Sequence, residues 1–277
     1  MTGNREIAAH YGSGQLLARL NAALIDDGVD PNRPSIEALT PYDQFHGRGL
    51  EATEEIARSI RAASTDQILD IGSGIGGPAR YFASHFGCRV TGIDLTPEFC
   101  AVGNHLTRLL GLEDRVRLDV GDARAMPFAD ASFDGAYSMN VSMNIADKAG
   151  LYREIFRVLK PGACLVLSEI AKGEGGELSY PTPWASSART SFLSTPEEIR
   201  RGLMEAGFEA IELQTKLEES LVYGARSREM VARGEKPPHR AVMLIHGELA
   251  AQAMANVARG LSEGQTTPIE VVARKPC

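Results

Sequence analysis

Short apolar runs alternate with amphipathic segments through the middle of the chain. The runs QILDIG, RVTGID, RVRLDVGD, FDGAYSM and CLVLSEI are typical of strands, and segments between them, such as TPEFCAVGNHLTRLLG and KAGLYREIFRVLKPG, have helical spacing. This alternation predicts an α/β fold in which helices cover both faces of a parallel sheet. Thr96-Pro97 predicts the start of one helix, and Thr195 with Glu198 predicts a capping box at the start of another.

The regular alternation ends after Ile170. A Gly/Ser/Pro-rich stretch, AKGEGGELSYPTPWASSART, follows and is too long for a simple connector. A helix, a strand near FEAIELQTK, a Met- and Ala-containing helical region and a final strand in TTPIEVVARKP are predicted beyond it. Helical patterns also precede the sheet, around Glu6–Ile25 and Leu50–Ala62.

We therefore predict two parts. Residues 1–62 form an N-terminal helical cover segment, and residues 63–277 form the core. Two insertions in the core, at about 171–194 and 218–263, are expected to cover the acceptor together with the N-terminal segment, because they carry aromatic and methionine residues without a sheet of their own.

Composition narrows the class of protein. The chain has 277 residues, of which 43% are hydrophobic and 23% charged, as in an ordinary globular protein. Its net charge of -7 would repel phosphate backbones, so nucleic acid is not an expected partner. The four cysteines show neither C-x-x-C nor His-adjacent spacing, so no metal site and no disulfide framework are expected. Without a signal-peptide pattern or a membrane span, we expect a cytoplasmic location.

A glycine motif follows the first apolar run. In ILDIGSGIGGPAR, Gly72, Gly74 and Gly77 form the pattern G-x-G-x-x-G. Any adenosine-bearing ligand over a strand-to-helix turn needs such glycines, so the motif fits NAD(P) and S-adenosylmethionine alike. Asp70 favours S-adenosylmethionine, because a carboxylate there would face the pyrophosphate of NAD(P) but would attract an ammonium and a sulfonium. An NAD(P)-dependent oxidoreductase stays an alternative, although no Tyr-x-x-x-Lys pair supports it.

Two further acids end the next two runs. Asp94 lies 22 residues after Gly72, where a carboxylate can accept hydrogen bonds from both ribose hydroxyls. Asp122, with the adjacent backbone amide, could contact adenine. Each acid could instead be a cap or a turn residue. Together with Asp70 they form a constellation at the edge where doubly wound sheets bind ligands.

These pieces resemble the class I S-adenosylmethionine-dependent methyltransferases. The matching segments are ILDIGSGIGGPARYFA, VTGIDLTPE, GDARAMPFADASFDGAYS and EIFRVLKPGACLVLSE, in the family's order. GIGGPARYFA and YPTPWASSARTSFLSTPEEIRRGLMEAGF are similar to the ubiquinone-biosynthesis and sarcosine/dimethylglycine branch. The resemblance implies a Rossmann-like seven-stranded sheet whose last strand, PIEVVARKP, is antiparallel, with S-adenosyl-L-methionine as cofactor and a small-molecule methyl acceptor.

The motifs and the resemblance define a predicted cofactor site. Tyr11 resembles a tyrosine that folds over the cofactor, and Arg48, between two glycines, could hold a carboxylate in a bidentate manner. The predicted cofactor-binding residues are Tyr11, Asp70, Gly72, Ser73, Gly74, Gly76, Asp94, Leu95, Gly121, Asp122, Ala123 and Asn140.

Catalysis is expected mainly from positioning and desolvation. Methyl transfer from a sulfonium needs no metal, and a base is needed only if the acceptor is protonated. Relatives often have histidine after the fourth strand in a pattern like L-H-H-V-P-D, where this chain has Met143 and Asn144. The candidate catalytic residues are therefore Asn144, His46, His239 and His246, and the predicted substrate-binding residues are Tyr42, Met139, Met143, Asn144, Trp184 and Phe192.

Ordinary structural roles remain open for many of these residues. The two methionines could be core residues, the histidines could be structural, and Trp184 could join the cover to the core. A non-catalytic S-adenosylmethionine-binding protein is a further alternative. Transfer to N, O or C and the formation of a homodimer are left open.

Overall fold

The computed structural model describes residues 10–12 and 14–277, so residues 6–9 of the first predicted helical pattern lie outside the described part. The strands are β1 Gln67–Ile71, β2 Arg89–Asp94, β3 Val116–Val120, β4 Phe133–Met139, β5 Leu159–Lys172, β6 Glu209–Thr215 and β7 Thr266–Arg274. The α-helices are α1 Leu16–Asp26, α2 Ile36–Asp43, α3 Gly49–Ile60, α4 Gly77–Phe86, α5 Pro97–Leu109, α6 Lys148–Val158, α7 Pro196–Glu205, α8 Leu217–Ala232, α9 Ala241–His246 and α10 Ala250–Ser262.

The seven strands form one sheet in the order β3-β2-β1-β4-β5-β7-β6. β7 pairs antiparallel with β5 and β6, whereas the pairs among β1 to β5 are parallel. The predicted seven-stranded sheet with an antiparallel last strand is therefore confirmed. The strand order reverses between β1 and β4, and ligands bind in the crevice at such a switch point.

Apolar side chains on the two faces of the sheet pack against different helices. Ile68 of β1 packs with Ile56 of α3 and Phe82 of α4. The next residue, Leu69, points to the other face, where it packs in a cluster with Ile155 of α6 and further residues of α7. This alternation buries both faces, as a doubly wound sheet requires.

Helix boundaries follow local signals. The capping box at α7 is confirmed, because Thr195 Oγ1 accepts from the Glu198 N–H at 3.2 Å and Glu198 Oε2 accepts from the Thr195 N–H at 2.8 Å. Helix α5 begins at Pro97 as predicted, but the side chain of Thr96 makes no capping hydrogen bond. The Thr96 N–H instead donates to Asp94 Oδ1 at 2.8 Å, so the strand-end carboxylate organises this turn.

The flanking segments lie over the carboxyl edge of the sheet. Leu20 of α1 and Leu39 of α2 belong to a buried cluster with Phe99 and Leu106 of α5. Helices α8 to α10 occupy much of the predicted insertion at 218–263, and α8 has no buried residue. No helix in the described part of the chain is both long and apolar enough to span a membrane.

Candidate functional site

A cavity of about 1430 Å³ opens at the carboxyl ends of the central strands. Its walls come from the sheet, the loop before α3 and helices α8 to α10. The predicted site residues that line it are Tyr11, His46, Gly72, Gly74, Asp94, Leu95, Gly121, Asp122, Ala123, Met139, Asn140, Met143, Asn144, Trp184, Phe192, His239 and His246. Four predicted site residues, Tyr42, Asp70, Ser73 and Gly76, do not line it.

The glycine turn after β1 forms one wall of the cavity. Gly72 has φ +73°, and a Cβ atom there would lie 2.2 Å from Val141 Cγ2. Gly74 has φ +53°, and its Cβ would lie 3.2 Å from Phe45 Cδ2. Both the backbone conformation and the close neighbours therefore require glycine, and the bare backbone is exposed to the cavity.

Asp94, at the end of β2, is oriented by the turn beside it. Its Oδ2 accepts from the Gly74 N–H at 2.9 Å, and its Oδ1 accepts from the Thr96 N–H at 2.8 Å. Burial raises the pKa of Asp94, while these two backbone donors lower it. Since each carboxylate oxygen has further lone pairs, the fixed carboxylate can accept from two neighbouring hydroxyl groups of a ligand.

Asp122 lines the cavity as half of an ion pair. Arg124 Nη2 lies 2.6 Å from Asp122 Oδ2, and Arg124 Nε donates to Asp122 Oδ1 at 3.0 Å. The sequence analysis did not include this partner. This ion pair fixes the loop after β3 in the cavity wall. The carboxylate of Asp122, which was predicted to contact adenine, is thus already bound by Arg124.

Asp70 lies under the glycine turn, behind the wall of the cavity. It is 2% exposed, and its Oδ2 has no hydrogen-bond partner. Burial raises the pKa of Asp70 to about 7, and the nearby Asp94 contributes to the rise. Ser73 Oγ is also buried without a partner, and Gly76 has φ +80° beside Leu118. Ser73 and Gly76 therefore shape the cavity wall from behind, and Asp70 places a carboxyl group there.

A buried ion pair that the sequence analysis missed anchors the N-terminal segment to α4. Arg80 Nη2 lies 2.8 Å from Asp43 Oδ2, with the two side chains 1% and 3% exposed. Gln44 Nε2 donates to Asp43 Oδ1 at 2.9 Å. An arginine inside the apolar helix sequence GPARYFASHF was the available signal, because a buried guanidinium needs a partner. The loop before α3 is thereby fixed against the helix that follows the glycine turn.

The three candidate histidines differ in what their ring nitrogens contact. His46 Nδ1 lies 3.2 Å from Gly47 O, and His46 Nε2 lies 3.2 Å from Gln44 Oε1 and 3.1 Å from Thr53 Oγ1. Burial lowers the pKa of His46 to about 3. With protein partners at both nitrogens, His46 holds the loop, which does not support its predicted role as a base.

His239 and His246 are each fixed through Nε2 to a main-chain carbonyl. The distances are 2.6 Å from His239 to Gln44 O and 2.9 Å from His246 to Pro183 O. A carbonyl only accepts, so Nε2 carries the proton and Nδ1 is a proton acceptor in both rings. Burial lowers the pKa of His239, and burial with the neighbouring His10 lowers that of His246 to about 4. Both rings are therefore neutral near pH 7.

Asn144 holds the loop that carries the single tryptophan. Its Nδ2 donates to Trp184 O at 2.7 Å and to Thr190 O at 3.0 Å, and its Oδ1 accepts from the Tyr11 hydroxyl at 3.0 Å. Trp184 Nε1 donates to Ser191 Oγ at 2.9 Å. Asn144 lines the cavity, but these contacts point to a positioning role in place of the predicted catalytic one.

Lys148 is a second loop anchor that the sequence analysis missed. Its Nζ donates to Ser142 O and Phe192 O at 2.6 Å each, and to Ile145 O. Burial lowers the pKa of Lys148 to about 8. One ammonium thus ties the segment after β4 to the loop that contains Phe192.

Two side chains that were predicted to contact a ligand, those of Arg48 and Tyr42, contact other residues of the protein instead. Arg48 does hold a carboxylate in a bidentate manner, but the carboxylate is that of Glu55, at 2.8 and 2.7 Å. The Tyr42 hydroxyl donates to Asp27 Oδ2 at 2.7 Å, and Arg240 lies over its ring at 4.5 Å. Tyr42 is therefore a structural residue away from the cavity, which contradicts its predicted substrate contact.

Comparison with known proteins agrees with this architecture. Residues 69–167 match a family described as a methyltransferase domain. The chain is 38% identical over 126 residues to a sterol 24-C-methyltransferase of Eremothecium gossypii, covering 46% of this chain and 34% of that protein. It is 30% identical over 168 residues to the methyltransferase GfsG of Streptomyces halstedii, covering 60% and 58%. The chain thus spans less than two thirds of the length of these curated relatives.

Solved structures show the same fold. Phosphoethanolamine N-methyltransferase 2 of Haemonchus contortus, in complex with S-adenosyl-L-methionine, superposes with a TM-score of 0.71 at 23% identity, covering 88% of this chain and 58% of that one. The [4+2]-cyclase SpnF gives a TM-score of 0.68 at 24% identity, covering 93% of both chains. Residues 69–167 thus match a methyltransferase domain, in agreement with the resemblance found in the motifs.

Proposed function

We propose that this protein transfers a methyl group from S-adenosyl-L-methionine to a small-molecule acceptor. The observation that carries the proposal is Asp94, whose carboxylate is fixed by the Gly74 and Thr96 amides and still lines the cavity. A ribose diol is the matching ligand group, because it offers two adjacent donors to one carboxylate.

The other groups around the glycine turn fit the same cofactor. Gly72 and Gly74 line the cavity without a side chain of their own, so a ligand can approach the main chain of the turn closely. The carboxyl group of Asp70, buried behind the glycine turn, favours the cationic end of S-adenosylmethionine and disfavours the pyrophosphate of NAD(P). The residues proposed to hold the cofactor on the cavity wall are Tyr11, Gly72, Gly74, Asp94, Leu95, Gly121, Asp122, Ala123 and Asn140, with Asp70, Ser73 and Gly76 behind them.

Bound S-adenosylmethionine supplies a methyl group on an already activated sulfur leaving group. The protein then has to orient the acceptor and exclude water. Asn144 and Lys148 do this by fixing the loops that carry Trp184 and Phe192. Where the acceptor must lose a proton, Nδ1 of His239 or His246 is the available acceptor in the wall, since Nε2 of each ring is already a donor.

The cellular setting is part of the proposal. The four cysteines, Cys88, Cys100, Cys164 and Cys277, are free thiols, and three of them are buried. Free thiols are typical of a reducing compartment, which supports a cytoplasmic location. A homodimer and the absence of a nucleic-acid partner remain predictions.

The fold alone does not determine the reaction, because the SpnF chain with this fold is described as a [4+2]-cyclase. Methyl transfer must therefore be measured directly. We would incubate the protein with methyl-labelled S-adenosylmethionine and a panel of amines, phenols, quinols and polyketides, and detect the label by mass spectrometry. Labelled product supports the proposal. An acceptor that is consumed without gaining label would identify another reaction on the same fold.

A further inference from the structure

The cavity is larger than one ligand requires. Single ligand sites usually measure about 300–1,000 Å³, whereas this cavity measures about 1430 Å³. The part beyond the glycine turn is walled by α8, α9, α10 and the loop that holds Trp184. It has space for a drug-sized second ligand beside the cofactor.

The wall in this second part is mostly apolar. Trp184 and Phe192 line it from the loop, Leu221 and Val231 from α8, and Met254 from α10. Leu221, Val231 and Met254 are also 41%, 58% and 45% exposed, so they form an apolar rim at the mouth. Exposed apolar patches of this kind mark binding sites, because an apolar ligand removes them from water.

The cations in the wall are already paired wherever they are shielded from water. Arg48 pairs with Glu55, Arg124 with Asp122, and Arg240 with Asp27. The other two arginines that line the cavity, Arg228 and Arg259, are exposed at its mouth. The cavity wall, as far as the structure describes it, therefore offers no shielded and unpaired cation for a phosphate or a carboxylate, and burying such a group without a partner is costly.

Helix α8 places two hydroxyl-bearing residues in the wall of the second part. Ser227 Oγ is buried without a hydrogen bond, and the residue lines the cavity on the same face of α8 as Tyr223, four residues earlier. Arg226 lies over the Tyr223 ring at 5.0 Å and holds it in place. Because Ser227 Oγ is closed off from the cavity, Tyr223 is the residue of this pair whose hydroxyl group can contact a ligand oxygen.

We infer that the acceptor is an uncharged, largely apolar molecule, of polycyclic or long-chain size, with a hydroxyl or carbonyl oxygen that contacts Tyr223. This inference rests on the proposed function. It separates this chain from relatives whose names specify phosphorylated or amino-acid substrates, such as the phosphoethanolamine N-methyltransferase.

The single tryptophan makes the inference testable without knowledge of the natural acceptor. Trp184 lines the cavity, so its emission should change when the second part fills. In the presence of S-adenosylhomocysteine, we would titrate two matched pairs of probes, pregnenolone with pregnenolone sulfate and farnesol with farnesyl diphosphate, and phosphoethanolamine alone. The uncharged probe of at least one pair should bind saturably and at least tenfold more tightly than its charged partner, and phosphoethanolamine should not bind.

Two variants locate the bound probe. Met254→Asp, at the mouth, should weaken the uncharged probe at least tenfold, while Met204→Asp, on an exposed methionine of α7 outside the cavity, should not. Tyr223→Phe, which removes the hydroxyl group of a cavity-lining residue, should weaken the alcohol probes pregnenolone and farnesol.

The inference is overturned if a charged probe or phosphoethanolamine binds as tightly as the uncharged probes, or if no uncharged probe binds while S-adenosylhomocysteine does. Loss of S-adenosylhomocysteine binding itself would instead overturn the proposed function.

Discussion

Substituting Asp70 by asparagine should make the ligand-free protein more stable and the cofactor weaker. The carboxylate is 2% exposed and one of its oxygens has no partner. Burial raises its pKa from 3.8 to about 7. A folded pKa above the unfolded value means that stability is lost as the pH rises from about 4 through about 7.

The size of the effect follows from this shift. The raised pKa of Asp70 costs the folded state about 4 kcal/mol at pH 8, where the group is ionised in both states, and about 2 kcal/mol at pH 5, where the folded state keeps the proton, because one pKa unit corresponds to about 1.4 kcal/mol. The asparagine side chain in the variant Asp70→Asn would have nearly the same shape without the charge. We therefore expect the unfolding temperature of the variant to exceed that of the parent by several degrees at pH 8, and by much less at pH 5.

The cofactor should respond in the opposite direction. If Asp70 attracts the cationic end of the ligand, Asp70→Asn should weaken S-adenosylhomocysteine, which retains the ammonium, at least tenfold, or about 1.4 kcal/mol. Thermal unfolding at both pH values, with and without S-adenosylhomocysteine, measures both effects. Asp114→Asn, at an exposed acid outside the cavity, is the control and should change neither.

Two results would refute this reasoning. An equal gain in unfolding temperature at pH 5 and pH 8 would show that the charge of Asp70 is not what destabilises the fold. Unchanged affinity for S-adenosylhomocysteine would show that the charge does not serve the ligand.

Three further substitutions test other parts of the site. Gly72→Ala would place a Cβ 2.2 Å from Val141 Cγ2, so it should destabilise the fold by at least about 2 kcal/mol and weaken cofactor binding. The control Gly234→Ala, at a similar φ of +77° and with no atom within 4 Å of the added Cβ, should destabilise the fold less. Equal destabilisation by the two variants would show that the contact with Val141 is not the cause. Asn144→Ala removes two hydrogen bonds to the loop that carries Trp184. The variant should shift the tryptophan emission to longer wavelength, and it should have a lower kcat. An unchanged emission spectrum would show that other contacts hold the loop. His239→Gln removes a candidate base whose pKa lies below 6.5. With a methyl acceptor that must lose a proton, the variant should lower kcat at least tenfold and abolish the fall in rate on the acid side of the pH profile. An unaltered pH profile would show that His239 is not the base.

The sheet and the cofactor edge could be predicted because their signals are local in sequence. Gly72 directly follows β1, Gly74 lies two residues further on, and Asp94 ends β2. A parallel sheet brings the carboxyl ends of its strands together whatever the details of packing. The spacing of apolar residues along the chain predicted which segments are strands and which are helices.

The contacts that support the cavity wall were harder to predict, because they join segments that are distant in sequence. Asp43 and Arg80 are 37 residues apart, and Asn144 and Trp184 are 40 apart. No short motif encodes such pairs, so the sequence could not show that Asn144 is committed to a loop. For Arg48, the sequence does contain a signal of the partner, since Glu55 lies only seven residues later on α3.

The most direct test of the central claim is calorimetric titration of the protein with S-adenosylhomocysteine and, separately, with NAD. We expect saturable binding of S-adenosylhomocysteine at one site per chain and no binding of NAD. Asp94→Ala should weaken S-adenosylhomocysteine at least tenfold through the loss of the carboxylate's charge-assisted hydrogen bonds. Saturable binding of NAD with no heat from S-adenosylhomocysteine would contradict the central claim.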